Sequence, residues 1–203
     1  MKIFAIGRNY AEHAKELNNP LPSEPVVFMM PITCIIQRNK PFFYPDFSND
    51  IHHEVELVLK ISKAGKNVQE KFAKRYYQQI GVGIDFTARD LQKKAKESGL
   101  PWEKAKAFDG AAPLGTFIDK DHFNDLGDIS FNLEINGIEV QKGNSGDMIF
   151  PFDQLISYVS KFFSLQIGDL LFTGTPAGVG PVKIGDRLEA FIEGESLLNF
   201  AVK

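Results

Sequence analysis

Glu54-Val-Glu-Leu-Val-Leu-Lys-Ile61 alternates apolar and charged side chains and reads as a β-strand. Val55, Leu57, Leu59 and Ile61 take one face, and Glu54, Glu56 and Lys60 take the other. Working outward, similar short strand signals cover Lys2–Ile6, Val26–Met30, Ile32–Ile36, Gln79–Ile84 and Ile129–Ile135. Further ones cover Ile138–Gln141, Asp169–Thr173, Arg187–Ile192 and Leu197–Val202. Asn136-Gly137 is a two-residue type I′ hairpin signal between two of them. Helical character is confined to Tyr10–Leu17, Val68–Tyr77, Thr87–Ser98 and Phe152–Phe163. Thr87 is the expected N-cap of the third helix, and Gly99 and Pro101 its stop. Many short strands with few helices predict a mixed, mostly β (α+β) and mostly antiparallel architecture, not a regular βαβ repeat.

The 203 residues suit one large domain, expected to span residues 1–203. With 43% hydrophobic and 24% charged residues, the chain is ordinary globular material and not a disordered segment. Lys+Arg 23 against Asp+Glu 26 leaves a net charge of -3, which excludes a chain-wide basic field for nucleic acid. The single cysteine, Cys34, excludes an internal disulfide framework and a cysteine-based zinc site. Its neighbours Ile32, Ile35 and Ile36 mark it as an inert buried thiol. Eighteen Phe against five Tyr and one Trp read as core material. No apolar run approaches a membrane span and no signal segment is visible, so the expected location is cytoplasmic.

Nucleotide motifs fail. Gly81-Val-Gly83 lacks a third glycine, and Gly178-Val-Gly180 continues into Pro181-Val-Lys183; both read as turn or close-packing glycines. The carboxylates are more informative. Glu54 and Glu56, two apart on a strand, project side by side, which is unfavourable unless they are solvated or held by a cation. Asp85 ends the apolar strand Gln79–Ile84 and would complete a trio suited to a hard divalent ion. The bland readings are a solvated strand face for the glutamates and a helix cap for Asp85. His13 and Glu16, three apart, share a helix face either as a base with its orienting carboxylate or as a surface ion pair. Lys106 lies in Lys104-Ala-Lys-Ala-Phe-Asp109, whose alternation places the lysines away from the apolar face. Thr173-Gly-Thr-Pro-Ala-Gly-Val-Gly180 either presents Thr175 and backbone N–H groups to an anion or is a plain turn.

Taken in order, several segments resemble the fumarylacetoacetate hydrolase superfamily. They are Gly7-Arg-Asn-Tyr10, Ala11–Glu16, His52-His-Glu-Val-Glu56, Asp85-Phe-Thr-Ala-Arg-Asp90, Pro101-Trp102, Ala105-Lys-Ala-Phe108, Met148-Ile-Phe150 and Thr173-Gly-Thr-Pro176. Order and spacing are most similar to the small single-domain branch of acylpyruvate hydrolases and oxaloacetate decarboxylases. The resemblance implies the family's β fold, a homodimer, and Mg²⁺ or Mn²⁺ on Glu54, Glu56 and Asp85. It implies a lid helix within residues 8–25 that carries His13 and Glu16, and an active-site Lys106. Arg89, Gln92 and Thr175 are implied to lie against the substrate. Ala107 departs from the serine common after that lysine. The expected activity is cleavage of a carbon–carbon bond in a small 2-oxo acid through a pyruvate enolate. Isomerase or decarboxylase chemistry on aromatic catabolites, or plain binding of metal or acid, are the rivals.

Overall fold

The computed structural model describes residues 1–16, 20–37 and 39–203. β1 (Ile3–Gly7) leads through a tight turn into α1 (Ala11–Glu16), followed by β2 (Val26–Met30), β3 (Ile35–Ile36), β4 (Ile51–His53) and β5 (Val55–Ile61). Next come α2 (Glu70–Ala73), β6 (Tyr77–Ile84), β7 (Thr87–Ala88), α3 (Arg89–Glu97), α4 (Glu103–Lys106) and β8 (Ala112–Asp119). β9 (Ser130–Ile135), β10 (Ile138–Asn144), α5 (Phe152–Phe162), β11 (Leu170–Phe172), β12 (Gly180–Pro181), β13 (Arg187–Ile192) and β14 (Glu195–Ala201) complete the chain.

Among the described residues the strands form a seven-stranded sheet in the order β2-β1-β11-β5-β6-β8-β3, a four-stranded sheet β10-β9-β13-β14, and a small sheet β12-β4-β7. Pairing is antiparallel except for β1 with β11 and β3 with β8. The main core lies where β5 and β6 meet β9, β13 and β14, with Leu57, Leu59, Val82, Phe86, Phe131, Leu188 and Phe200 buried together. Phe86 stacks on Phe42 with ring centroids 4.1 Å apart and meets Phe200 edge-on. The phenylalanine excess is thus largely core, though Phe43, Phe47, Phe72 and Phe162 are exposed.

Asn136 and Gly137 both adopt positive φ, as a type I′ turn requires, and join β9 to β10. Four expectations need correction. Ile32–Cys34 is a 3₁₀ turn and only Ile35–Ile36 is strand, because Pro31 opens a turn closed by the Ile35 N–H on Ile32 O. The helix expected over Val68–Tyr77 shrinks to α2, since Tyr77 is buried as the first residue of β6 opposite Ile61. Thr87 is no N-cap: it pairs with His52 in β7, and the start of α3 is instead tied down by the Arg89 N–H on Asp50 O at 2.8 Å. Lys106 ends a helical turn, not an alternating strand, which is how it is buried while Lys104 is exposed. Of the expected helix Tyr10–Leu17, Leu17 lies outside the described residues, as do Asn18 and Asn19 of the expected lid segment.

Asn9 clasps the turn after β1. Its amide donates to Phe150 O (3.1 Å) and Thr173 O (2.8 Å) and accepts from the Phe150 N–H (2.8 Å), all buried. This holds Arg8 at φ 60, a left-handed conformation uncommon for a side-chain-bearing residue. Asn9→Ala leaves three buried backbone groups unpartnered and is expected to cost about 2–4 kcal/mol in urea unfolding.

Candidate metal centre and active site

The antiparallel register of β5 and β6 sets Val55 opposite Ile84 and Glu56 opposite Gly83. The next pair out is therefore Glu54 and Asp85, and the Asp85 N–H donates to Glu54 O at 2.8 Å. Ligand-capable oxygens of Glu54, Glu56 and Asp85 lie within 4.8 Å of one another. Neither glutamate is solvated: their relative exposures are 5% and 1%, and Asp85 is at 1%. The cluster reading holds, and the solvated-face and helix-cap readings do not. Gly83, opposite Glu56, leaves space for the Phe172 ring, which a Cβ there would meet at 2.7 Å.

Three carboxylates this close repel strongly. Lys106 Nζ donates to Glu54 Oε2 and to Asp85 Oδ2, both at 2.7 Å. Arg89 donates to Glu54 Oε1 at 2.7 Å and to Gln92 Oε1 at 2.8 Å. Burial alone would raise the Glu54 pKa, but Lys106 and Arg89 hold it well below the usual carboxylate range. Burial, and next the charge of Asp85, push the Glu56 carboxyl well up. Burial likewise raises Asp85 to about 6 despite Lys106. Lys106 is raised by Asp85 and Glu54, which outweigh its own burial. Asp85 Oδ1 is buried with no hydrogen-bond partner. An orphaned carboxylate oxygen facing two further carboxylates is what a hard divalent cation would satisfy, so the residues fit Mg²⁺ or Mn²⁺.

The Thr173–Gly180 loop does present N–H groups to anions, and the anions are the chain's own. The Gly174 N–H donates to Glu56 Oε2 (2.7 Å), and the Gly178 N–H to Glu16 Oε1 (3.0 Å). Gly174 and Gly178 have φ of 100 and 98, and a Cβ at either would meet Asn9 Cβ at 2.7 Å or Val140 O at 2.6 Å. Glu16 Oε2 accepts from His13 Nδ1 at 3.2 Å, which in the neutral ring puts the proton on Nδ1 and leaves Nε2 the free nitrogen. His13 is 5% exposed, so the surface-pair reading fails.

One cavity collects His13, Glu54, Glu56, Asp85, Arg89, Gln92, Lys106 and Thr175. Glu16 alone of the expected site residues is not in its lining, and it is bonded to His13, which is. The free volume is about 30 Å³, room for a water or two. A groove of about 660 Å³ elsewhere, lined mainly by Met1, Ile32, Ile36 and Phe43, is larger but has no cluster of catalytic groups. Cys34 is buried, and burial pushes its thiol up to about 12, which suits the inert reading.

The chain matches the family model "Fumarylacetoacetate (FAA) hydrolase C-terminal" over residues 2–203. It belongs to the fumarylacetoacetate hydrolase family. Within that family it is 42% identical to the oxaloacetate tautomerase YcgM of Escherichia coli, over 97% of this chain and 90% of the relative. It is 44% identical to a mitochondrial oxaloacetate decarboxylase of Dictyostelium discoideum, over 95% of this chain and 89% of the relative. A fumarylpyruvate hydrolase structure from Pseudomonas aeruginosa, in complex with Mn²⁺ and pyruvate, superposes with TM-score 0.93 at 34% identity, covering 100% of this chain and 89% of that one. The chain is thus an enzyme of the family, with the mostly β fold expected for it.

Residue spacing did not reveal Arg8, Phe28, Lys96 and Trp102, which also line the cavity, or the buried Gln141. Gln141 Oε1 accepts from the Val55 N–H (3.0 Å) and bonds His53 Nδ1 (2.8 Å). Its Nε2 donates to Pro176 O (3.0 Å) and to Thr175 Oγ1 (2.9 Å). The Val55 N–H and Pro176 carbonyl fix the amide's orientation, so Thr175 must accept from Gln141 and keeps its proton to donate. No local motif marks a lone glutamine in an edge strand.

Because the Asp85 and Glu56 carboxyls are raised, the folded metal-free centre binds protons more readily than the unfolded chain. These groups therefore weaken the fold above the raised values, and that penalty fades as pH falls through about 6 toward the ordinary carboxyl range. Mg²⁺ or Mn²⁺ should consequently raise the melting temperature more at about pH 8 than at about pH 5. Glu56→Gln should raise the metal-free melting temperature at the higher pH and abolish the metal-induced shift. Calorimetric scans with metal and with EDTA measure both.

Proposed function

We propose that this enzyme works through the enolate of a small 2-oxo acid, with a divalent metal on Glu54, Glu56 and Asp85. The carrying observation is that His13, backed by Glu16, closes the same cavity that holds the buried carboxylate trio with its orphaned Asp85 oxygen. Relatives named for oxaloacetate tautomerisation and decarboxylation support oxaloacetate as the main substrate. A likeness to a fumarylpyruvate hydrolase supports acylpyruvate cleavage as the second reading.

When bound, the metal supplies Lewis acidity at the 2-oxo group, stabilising negative charge that develops there. Every proton movement belongs to the chain. His13 Nε2 takes the C3 proton of oxaloacetate, leaving the enolate, and returns it to oxygen to give the enol. Glu16 holds the ring and stabilises the imidazolium. In decarboxylation the C3–C4 bond breaks, CO₂ leaves with its electron pair left on C3, and His13 relays a proton taken up from solvent to that carbon to give pyruvate. In acylpyruvate cleavage His13 takes a proton from water as its oxygen adds to the distal carbonyl; the C3–C4 bond then breaks, the carboxylic acid leaves, the electron pair stays on C3 as the pyruvate enolate, and His13 returns its proton to that carbon. Lys106 and Arg89 offset the trio's negative charge so that an anionic acid can approach. Thr175 donates to the acid's oxygen.

A four-carbon acid needs several times the free volume behind α1. We include in the proposal that α1 opens to admit it, a movement that costs the Glu16 contact to Gly178.

Pyruvate release from oxaloacetate and acetylpyruvate, and enol–keto exchange of oxaloacetate followed by its enol absorbance, test the reading with Mg²⁺, Mn²⁺ and EDTA. Turnover should require metal and vanish in Glu56→Ala. His13→Ala should lower acetylpyruvate cleavage and enol exchange by about 10²–10⁴-fold. A folded, metal-bound protein that turns over neither acid would refute the reading. Gln141→Glu replaces the donor on Thr175 by an acceptor that captures its proton. It should lower kcat/KM by about tenfold, as Thr175→Val does, and the double variant should lose little more.

A further inference from the structure

Four cationic side chains line the cavity: Arg8, Arg89, Lys96 and Lys106. Two of them are engaged by the trio. Among the described residues, no carboxylate lies within ion-pair distance of Arg8 or Lys96, although both face the same space. We propose that Arg8 and Lys96 form a second anion subsite at the mouth of the cavity, which takes the distal carboxylate of a dicarboxylic 2-oxo acid. This rests on the reading of the trio as a metal centre for such acids.

Placement supports it. Arg89, Gln92 and Lys96, at i, i+3 and i+7 of α3, lie along one helix face, so Lys96 is two turns farther out than the arginine on Glu54. Lys96 is exposed at the rim, with Nζ 5.6 Å from the Trp102 ring centroid. Trp102 in turn meets Phe28 edge-on, so one wall of the mouth is aromatic. Partial desolvation, followed by repulsion from Arg8 and Arg89, lowers the Lys96 pKa, which places the two rim cations within reach of each other's fields.

Arg8 carries a conformational cost. Its φ of 60 belongs to glycine or asparagine by preference, and the buried Asn9 clasp enforces it. Its planar guanidinium is suited to grip a carboxylate.

Charge decides the class of ligand. Four cations and a divalent ion face three carboxylates, leaving a surplus of three positive charges. A 2-oxo monocarboxylate removes one of these, and a dicarboxylate removes two. In a site this enclosed the dianion is the better match.

L-Malate and L-lactate separate the two ends of the site. Both chelate a metal through a 2-hydroxy acid, neither is a 2-oxo acid that the proposed chemistry can turn over, and only malate has a distal carboxylate. Calorimetric titration of the Mg²⁺-loaded wild type should show malate binding about tenfold or more tighter than lactate. Lys96→Met keeps the aliphatic stem on Trp102, and Arg8→Gly relieves the backbone. Each should erase most of the malate preference with lactate binding unchanged, and Lys96→Arg should retain it. Arg8→Gly should melt no lower than wild type, so loss of preference there is not loss of fold. In kinetics the same variants should raise KM for oxaloacetate far more than for acetylpyruvate, with kcat nearly kept. Equal malate and lactate binding by the wild type, or a preference that survives both variants, overturns the subsite. Metal-independent binding, or no binding of either acid, overturns the metal-centre reading beneath it.

Discussion

Three carboxylates held within 4.8 Å of one another, almost wholly out of water, are the constraint around which this molecule is organised. Left alone they would repel each other or take up protons. β5 and β6 bring Glu54, Glu56 and Asp85 together through backbone register, so their closeness is enforced by the whole ladder. α4 and α3 answer with Lys106 and Arg89, and the Gly174 N–H answers Glu56. Asp85 Oδ1 is left fully buried with no donor. Burying such a group costs stability, and a chain retains that cost where a ligand removes it.

The Thr173–Gly180 loop ties the centre to its cover. It donates to Glu56 at one end and to Glu16 at the other, and between them carries Thr175, oriented by Gln141. The same loop therefore touches the proposed metal site, the His13–Glu16 pair and the proposed substrate donor. The Asn9 clasp joins this loop to the turn that leads into α1, through Thr173 O and the backbone of Phe150. α1 is thus linked to the centre by a short run of hydrogen bonds.

Electrostatics divides the cavity into two zones. Near the trio, Lys106 and Arg89 are committed to carboxylates, and their charge is largely spent locally. At the rim, Arg8 and Lys96 hold charge in reserve beside an aromatic wall. A ligand with one chelating end and one anionic tail matches that division.

The architecture was readable wherever one segment carried its own signal. The alternation of β5, the Asn136-Gly137 turn and the apolar stripe of α5 needed no partner to be recognised. His13 and Glu16 were legible because helix geometry alone sets residues three apart on one face. Reading failed where a distant contact outweighed local preference. Tyr77 left its helix to pair with Ile61, Thr87 left its cap to pair with His52, and Ile32–Cys34 turned where Pro31 redirected the chain. The sequence by itself determined the residue types, the strand-rich composition and the resemblance that groups them. Tertiary structure alone decided that Asp85 stands beside Glu54, that Lys106 is buried against both, and that Gln141 directs Thr175. Those relations join residues up to 52 positions apart, and such contacts are set by strand register and packing, which no local pattern encodes.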